Sequence, residues 1–184
     1  MALRLALVVV ATVSSLLWVG SSLGGLSPTV AGPRAVDARF SLTSPAFRPR
    51  GSIPARHSCQ GANVSPPLRW SAPPAGTRSF ALILDDPDAP GGTFTHWVAW
   101  GIPASARMLG AGKAPPLEGA TSFGAVGYGG PCPPPGDGPH RYVFTLYALD
   151  AKPALARGVS KSRLLRAVRG HVLATATLVG TYER

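Results

Sequence analysis

Glycine and proline break this chain at short intervals, Gly 22 and Pro 20 among 184 residues, and they fall between short apolar runs. That spacing favours strands joined by turns over long helices or a disordered tract. The strongest run, Ser79 to Asp85, contains Phe80-Ala81-Leu82-Ile83-Leu84 and is apolar on both faces, so it reads as a central strand. Asp86-Pro87-Asp88-Ala89-Pro90-Gly91-Gly92 then stops it. His96 to Ile102, Arg141 to Leu149 and Val172 to Tyr182 read as further strands. Residues 40–56 read as a short strand with turns, and Cys59 to Pro67 as a loop ending at Trp70.

Residues 110–139 carry glycine and proline throughout and show no periodic apolar face. Loops of that length inside a domain are uncommon and often functional. One good helix is expected outside the N-terminal segment, Ser160 to Arg169. Ser160 is placed to cap it, Leu164, Leu165 and Val168 supply its apolar stripe, and Gly170 is placed to end it. No internal repeat is present.

The length suits one domain, and a domain of about 150 residues buries roughly 68–70% of its unfolded surface, so size alone demands no metal or disulfide. The first 31 residues look like a leader: a short basic start, an apolar Leu5 to Gly20, then small and polar residues. Thr29-Val30-Ala31 is the best cleavage candidate, although the apolar stretch also approaches the ~20 residues that span a bilayer. Residues 1–31 are therefore expected to be a signal peptide or membrane anchor, 32–39 a linker and 40–184 the domain. The domain is expected to be exported, whether secreted, periplasmic or held at the cell envelope. The two cysteines, Cys59 and Cys132, can form one disulfide in such a compartment or remain free thiols.

The net charge of +10 comes mostly from scattered arginines. No aromatic–basic repeat, zinc spacing or helix-turn-helix signal accompanies it, so nucleic acid is not the expected partner. Arg157, Lys161, Arg163, Arg166 and Arg169 cluster along the expected helix, as a solvated face or a stripe that meets an anionic membrane surface.

Acids are scarce, yet Asp85, Asp86 and Asp88 lie within four positions. Turn chemistry accounts for part of that grouping, since Asp-Pro favours a turn. His96 opens one strand, and His140 and Tyr142, two apart, share a face of another. Imidazolium and phenol are donors suited to phosphate or carboxylate oxygens, and a carboxylate can hold an imidazole's tautomer. A metal site of two His and two Asp, and with it a metal-assisted hydrolase, is the rival reading. A serine hydrolase is disfavoured, because no Gly-x-Ser-x-Gly elbow occurs.

Several stretches together resemble the phosphatidylethanolamine-binding protein (PEBP) family, most closely its bacterial Raf-kinase-inhibitor-like branch. They are Asp86-Pro87-Asp88-Ala89-Pro90, Thr95-His96-Trp97, Gly130-Pro131-Cys132-Pro133-Pro134 and Gly138-Pro139-His140-Arg141-Tyr142. Ser44-Pro45-Ala46-Phe47, Cys59-Gln60-Gly61, Asn63-Val64-Ser65-Pro66 and Leu178-Val179-Gly180-Thr181-Tyr182 fit as well, so the likeness covers roughly residues 40–184. The resemblance implies a mostly β fold: an antiparallel β-sandwich, a large sheet on a smaller one, with few short helices. It also implies no extra C-terminal helix like that of the eukaryotic branch. It implies a shallow anion pocket formed by Asp86, Asp88, His96, His140 and Tyr142, with Pro133 and Pro134 nearby, and it brings Cys59 and Cys132 close to that pocket. It further suggests a cis Ala89–Pro90 bond.

The expected function is that of an exported binding protein, not an enzyme, for a small phosphate-bearing anion or phospholipid headgroup, with no cofactor and no metal. Protonated His96 and His140 are expected to donate to the anion. The alternative is a protein inhibitor of a protease or kinase acting through the 110–139 loop.

Overall fold

The computed structural model describes residues 40–184, so the expected leader and linker lie outside the described residues. The central run becomes strand β3, Ser79–Asp86, after two short strands, β1 at Leu42–Thr43 and β2 at Leu68–Trp70. Strand β4 is Phe94–Pro103, β5 Met108–Leu109, β6 Leu117–Glu118, β7 His140–Leu149 and β8 Val172–Tyr182, with helix α1 at Lys161–Val168. A 3-10 turn occupies Ala55–His57. The strands form two antiparallel sheets, one ordered β1-β2-β5 and the other β6-β4-β3-β7-β8.

The two-sided apolar pattern of β3 has a direct structural meaning. Phe80, Leu82 and Leu84 face one way and join Leu42, Leu68 and Trp70 of the small sheet in the main core. Ala81 and Ile83 face the other way and pack with Val98, Trp100, Leu149, Leu164 and Val168, so α1 covers the outer face. All four of Phe80, Leu82, Leu84 and Ala81 are 0% exposed. Burying one such aliphatic or aromatic side chain contributes about 1.5–3 kcal/mol.

Helix α1 starts where its cap predicts: the Ser160 hydroxyl accepts from the Arg163 N–H. Gly170, at φ 81°, follows the last turn. The apolar stripe is narrower than expected. Leu164 and Val168, one turn apart, are buried, whereas Leu165 lies about 100° round the helix and is exposed. Arg163, Arg166 and Arg169 are exposed, but Lys161 leaves that set, its Nζ donating to both Asp85 oxygens at 2.9 and 3.0 Å.

Two other expectations meet the structure near the strand ends. Cys59 and Cys132 are disulfide-bonded, with Cα atoms 5.4 Å apart. The Ala89–Pro90 bond is trans, since the described residues contain no cis peptide. The turn closes without one: the Gly92 N–H donates to the Ala89 carbonyl at 3.0 Å, which puts Pro90 at the turn position that its fixed φ suits. Gly92, at φ 96°, then takes the backbone conformation that an L side chain resists.

Candidate functional site

β3 ends, and β4 and β7 begin, at the same edge of the large sheet. The pairings Asp85↔Thr95 and Asp85↔Val143 place the three strand ends side by side. Side chains alternate across a sheet, so the neighbouring acids of β3 part company there. Asp85 turns toward α1 and takes the Lys161 ammonium and the Thr95 hydroxyl. Asp86 turns the other way, is 3% exposed, and its Oδ2 accepts from His140 Nδ1 at 2.8 Å. Its Oδ1 accepts from the Asp88 N–H at 2.9 Å, which locks the first turn after the strand.

His96 reaches the same place through a β-bulge. Leu84 pairs with Trp97 and Asp85 with Thr95, so His96 is the extra residue on β4. Such bulges re-aim a side chain next to functional sites. The ring is then fixed: Nδ1 lies 2.9 Å from the Gly129 carbonyl and 3.1 Å from that of Gly130. Both partners are acceptors, so Nδ1 carries the proton and Nε2 is the atom left over. Burial lowers the His96 pKa below 6.5, with the carbonyl contacts and the Asp86 charge opposing it less strongly. A neutral His96 offers a ligand an acceptor, not the donor that the sequence suggests.

These groups line a cavity of about 660 Å³. That falls within the usual size of a small-molecule site, about 300–1,000 Å³. Asp86, His96 and His140 are polar wall groups, and Phe94, Phe123, Cys132, Pro133 and Pro134 supply much of the remainder. Phe123 stacks edge-on to Phe94 at 4.7 Å between ring centroids and to His96 at 5.2 Å, yet stays 47% exposed. It therefore forms a rim that a ligand can cover. The long 110–139 segment supplies this wall twice, at Ser122–Phe123 and at Cys132–Pro134.

The structure brings together five of the residues singled out in the sequence and sets two apart. Asp86, His96, Pro133, Pro134 and His140 line the cavity, while Asp88 and Tyr142 do not. Asp88 is held by Arg141, which donates from its backbone N–H at 2.8 Å, from Nε at 2.9 Å and from Nη2 at 2.6 Å. Those bonds hold the Asp88 carboxyl down at about 2. Its charge is thus taken up by a guanidinium, not by an imidazole or a ligand.

Tyr142 shares the His140 face as expected but is wholly buried, its ring edge-on to His96 at 5.2 Å. Its hydroxyl lies near Asp86 and the Cys132 backbone but makes no hydrogen bond of good geometry among the described residues, and burial first, then the nearby Asp86 charge, pushes its pKa up. It supports the His96 ring from below. Phe94 and Phe123 were missed. Phe94 sits two residues before His96, and alternation along a strand was the signal that could have found it. Nothing local marks Phe123.

The wall loop is tied down at several points. The Gly130 N–H donates to Asn63 Oδ1 at 2.8 Å, the Cys59 N–H to the Pro131 carbonyl at 3.0 Å, and Arg184 Nε to the Pro133 carbonyl at 2.8 Å. Gly130 has no room for a side chain, since a Cβ there would lie 2.2 Å from the His57 carbonyl oxygen.

Fold and site together define a class: two-sheet antiparallel β-sandwich proteins with an acid–histidine pocket at the strand ends. The chain belongs to the phosphatidylethanolamine-binding protein family, whose model matches residues 43–183. It is 47% identical over 152 residues to a UPF0098 protein of Methanothermobacter thermautotrophicus, covering 79% of this chain and 99% of that one. It is 43% identical over 146 residues to a UPF0098 protein of Mycobacterium tuberculosis, covering 78% of this chain and 70% of the relative. Among solved structures it resembles a PEBP homologue of Chlamydia trachomatis, at TM-score 0.76 and 41% identity over 79% of this chain and 98% of that one. It also resembles Escherichia coli YbcL, a member of the mammalian PEBP family, at TM-score 0.75 and 35% identity over 80% and 99%.

Proposed function

We propose that this protein is an exported, non-enzymatic binding protein for a small phosphate-bearing molecule or phospholipid headgroup, held in the cavity around Asp86, His96 and His140. The observation that carries the reading is the Asp86–His140 pair, buried at the wall of that cavity. Asp86 accepts from Nδ1 of His140, so Nε2, which has Asp137 Oδ2 3.9 Å away, is the ring atom that a ligand would meet. Membership of the PEBP family supports the choice of ligand class. The apolar rim of Phe94, Phe123 and the prolines suits a ligand with a hydrocarbon portion beside its charged group.

The wall is not simply cationic. Asp86 is an anion beside the ligand, and a neutral His96 presents a lone pair. A ligand with donors as well as phosphate oxygens therefore fits better than bare phosphate. Calorimetry should find phosphoethanolamine bound more tightly than inorganic phosphate. His140→Ala should weaken phosphoethanolamine by about 1.5–3 kcal/mol, the size of a charge-assisted hydrogen bond. Equal affinity in the parent and in His140→Ala would exclude the pair from binding.

A further inference from the structure

A second polar cavity lies where β4 meets the edge strand β6, separate from the pocket just described and independent of how that pocket is read. It measures about 230 Å³, and its lining includes Glu118 with Trp97 and Tyr128, the apolar Val64 and Ala114, and the polar Asn63, Ser65 and Lys113. Glu118 is only 8% exposed. Its Oε1 accepts from the Trp97 indole N–H at 2.8 Å, and Oε2 has no hydrogen-bond or ion-pair partner among the described residues. A Cβ on Gly127 would come within 3.6 Å of Oε2, so the missing side chain there leaves the carboxylate uncovered.

A carboxylate is a poor choice if its task is only to satisfy one indole N–H. A glutamine carbonyl would accept the same bond without bringing charge into a buried site, where an unpaired charge is costly. Beyond the indole N–H, Glu118 has room for several further donors and receives none from the described residues. The ammonium that lines the cavity, that of Lys113, forms no ion pair with Glu118. Lys113 is exposed, and its stem folds back over Gly110, where a Cβ would lie 3.2 Å from Lys113 Cγ. A divalent metal would need several oxygen ligands, and no group of three His, Cys, Asp or Glu side chains converges among the described residues. Val64, Ala114, Trp97 and Tyr128 give the wall an aliphatic and aromatic portion, suited to a slender hydrocarbon stem and to the attraction between a cation and a ring face, while Asn63 and Ser65 add neutral polar groups.

We infer that the Glu118 cavity is a binding site for an organic cation, a primary ammonium or guanidinium carried on an alkyl stem. The donors of the cation satisfy Oε2, and the stem lies against Val64, Ala114 and the two aromatic rings. Lys113 opposes the ligand by like-charge repulsion, because it lines the same cavity.

The Trp97 indole N–H reports on the site, since it donates to the carboxylate that would hold the ligand. The ¹⁵N-labelled full chain is titrated with agmatine, with the indole resonance assigned by comparison with Trp97→Phe. A saturable shift of that resonance is expected. Glu118→Gln, which keeps an acceptor for the indole, should weaken the agmatine affinity by about tenfold or more. Lys113→Ala should tighten it severalfold. Ala114→Leu narrows the mouth at an exposed position and should weaken it, which keeps the test available if Glu118→Gln fails to fold. No saturable shift, an undiminished affinity in Glu118→Gln or Ala114→Leu, or an equal response to neutral N-butylacetamide would overturn the assignment.

Discussion

Removing the Cys59–Cys132 disulfide separates two things that it could do: restrain the unfolded chain or hold the pocket wall in place. The bond closes a loop with a sequence separation of 73 residues. Chain-entropy arithmetic for that loop gives about 15 cal/mol/K, or roughly 4 kcal/mol at 25 °C, with about 2–4 kcal/mol the typical measured range. In a domain of this size each kcal/mol moves Tm by about 2–4 °C, so the Cys59→Ser/Cys132→Ser protein should melt roughly 4–16 °C lower.

The wall itself should change little. Cys132 lines the cavity, but Gly130, Pro131 and Pro133 on either side are each hydrogen-bonded to Asn63, Cys59 or Arg184. Only one of those bonds involves a mutated residue, and it uses the Cys59 backbone. Phosphoethanolamine affinity in the double serine variant, measured well below its Tm, should therefore stay within about tenfold of the parent, less than one hydrogen bond to a charged group. Calorimetric melting and titration on the same two proteins give both numbers. An unchanged Tm would refute the entropic argument. A lost pocket in a protein that still melts cooperatively would show that the disulfide, not the backbone network, positions the wall.

Three further predictions concern the same framework. Burial lowers the pKa values of His57 and His96 below 6.5, so the unfolded chain binds more protons at these sites, and their contribution to stability falls as pH drops through about 6.5. Melting between about pH 8 and about pH 5 should show that loss, and it should be smaller in His96→Gln; no difference between the proteins would place the effect elsewhere. Gly130→Ala forces a Cβ into the His57 carbonyl and should cost about 1–3 kcal/mol in denaturant unfolding, while Gly136→Ala, where a Cβ meets nothing, should cost less despite φ 85°. Leu164→Ala empties a fully buried position between α1 and the large sheet and should destabilise by about 2–5 kcal/mol, against a small change for the exposed Leu165→Ala.

The sequence by itself determined what depends on near neighbours. The two-sided apolar run of β3, the Ser160 cap, the Gly170 stop and the 172–182 strand are all short-range patterns, and each is present as read. The acid and histidine types that mark the pocket were legible too, because scarce charged residues beside proline turns stand out in a chain of few acids. Tertiary structure decided their division of labour. Asp85, Asp86 and Asp88 look alike along the chain, yet Lys161, His140 and Arg141, each more than fifty positions away, take one apiece. Which acid meets which base depends on strand register, and a single bulge at His96 changes it. The same register buries Tyr142 beneath His96 and leaves Asp88 outside the cavity. Phe123 belongs to irregular chain, and Glu118 to a strand of two residues, too short to show a period; the path of both is set by backbone bonds to distant carbonyls, and no local periodicity records it.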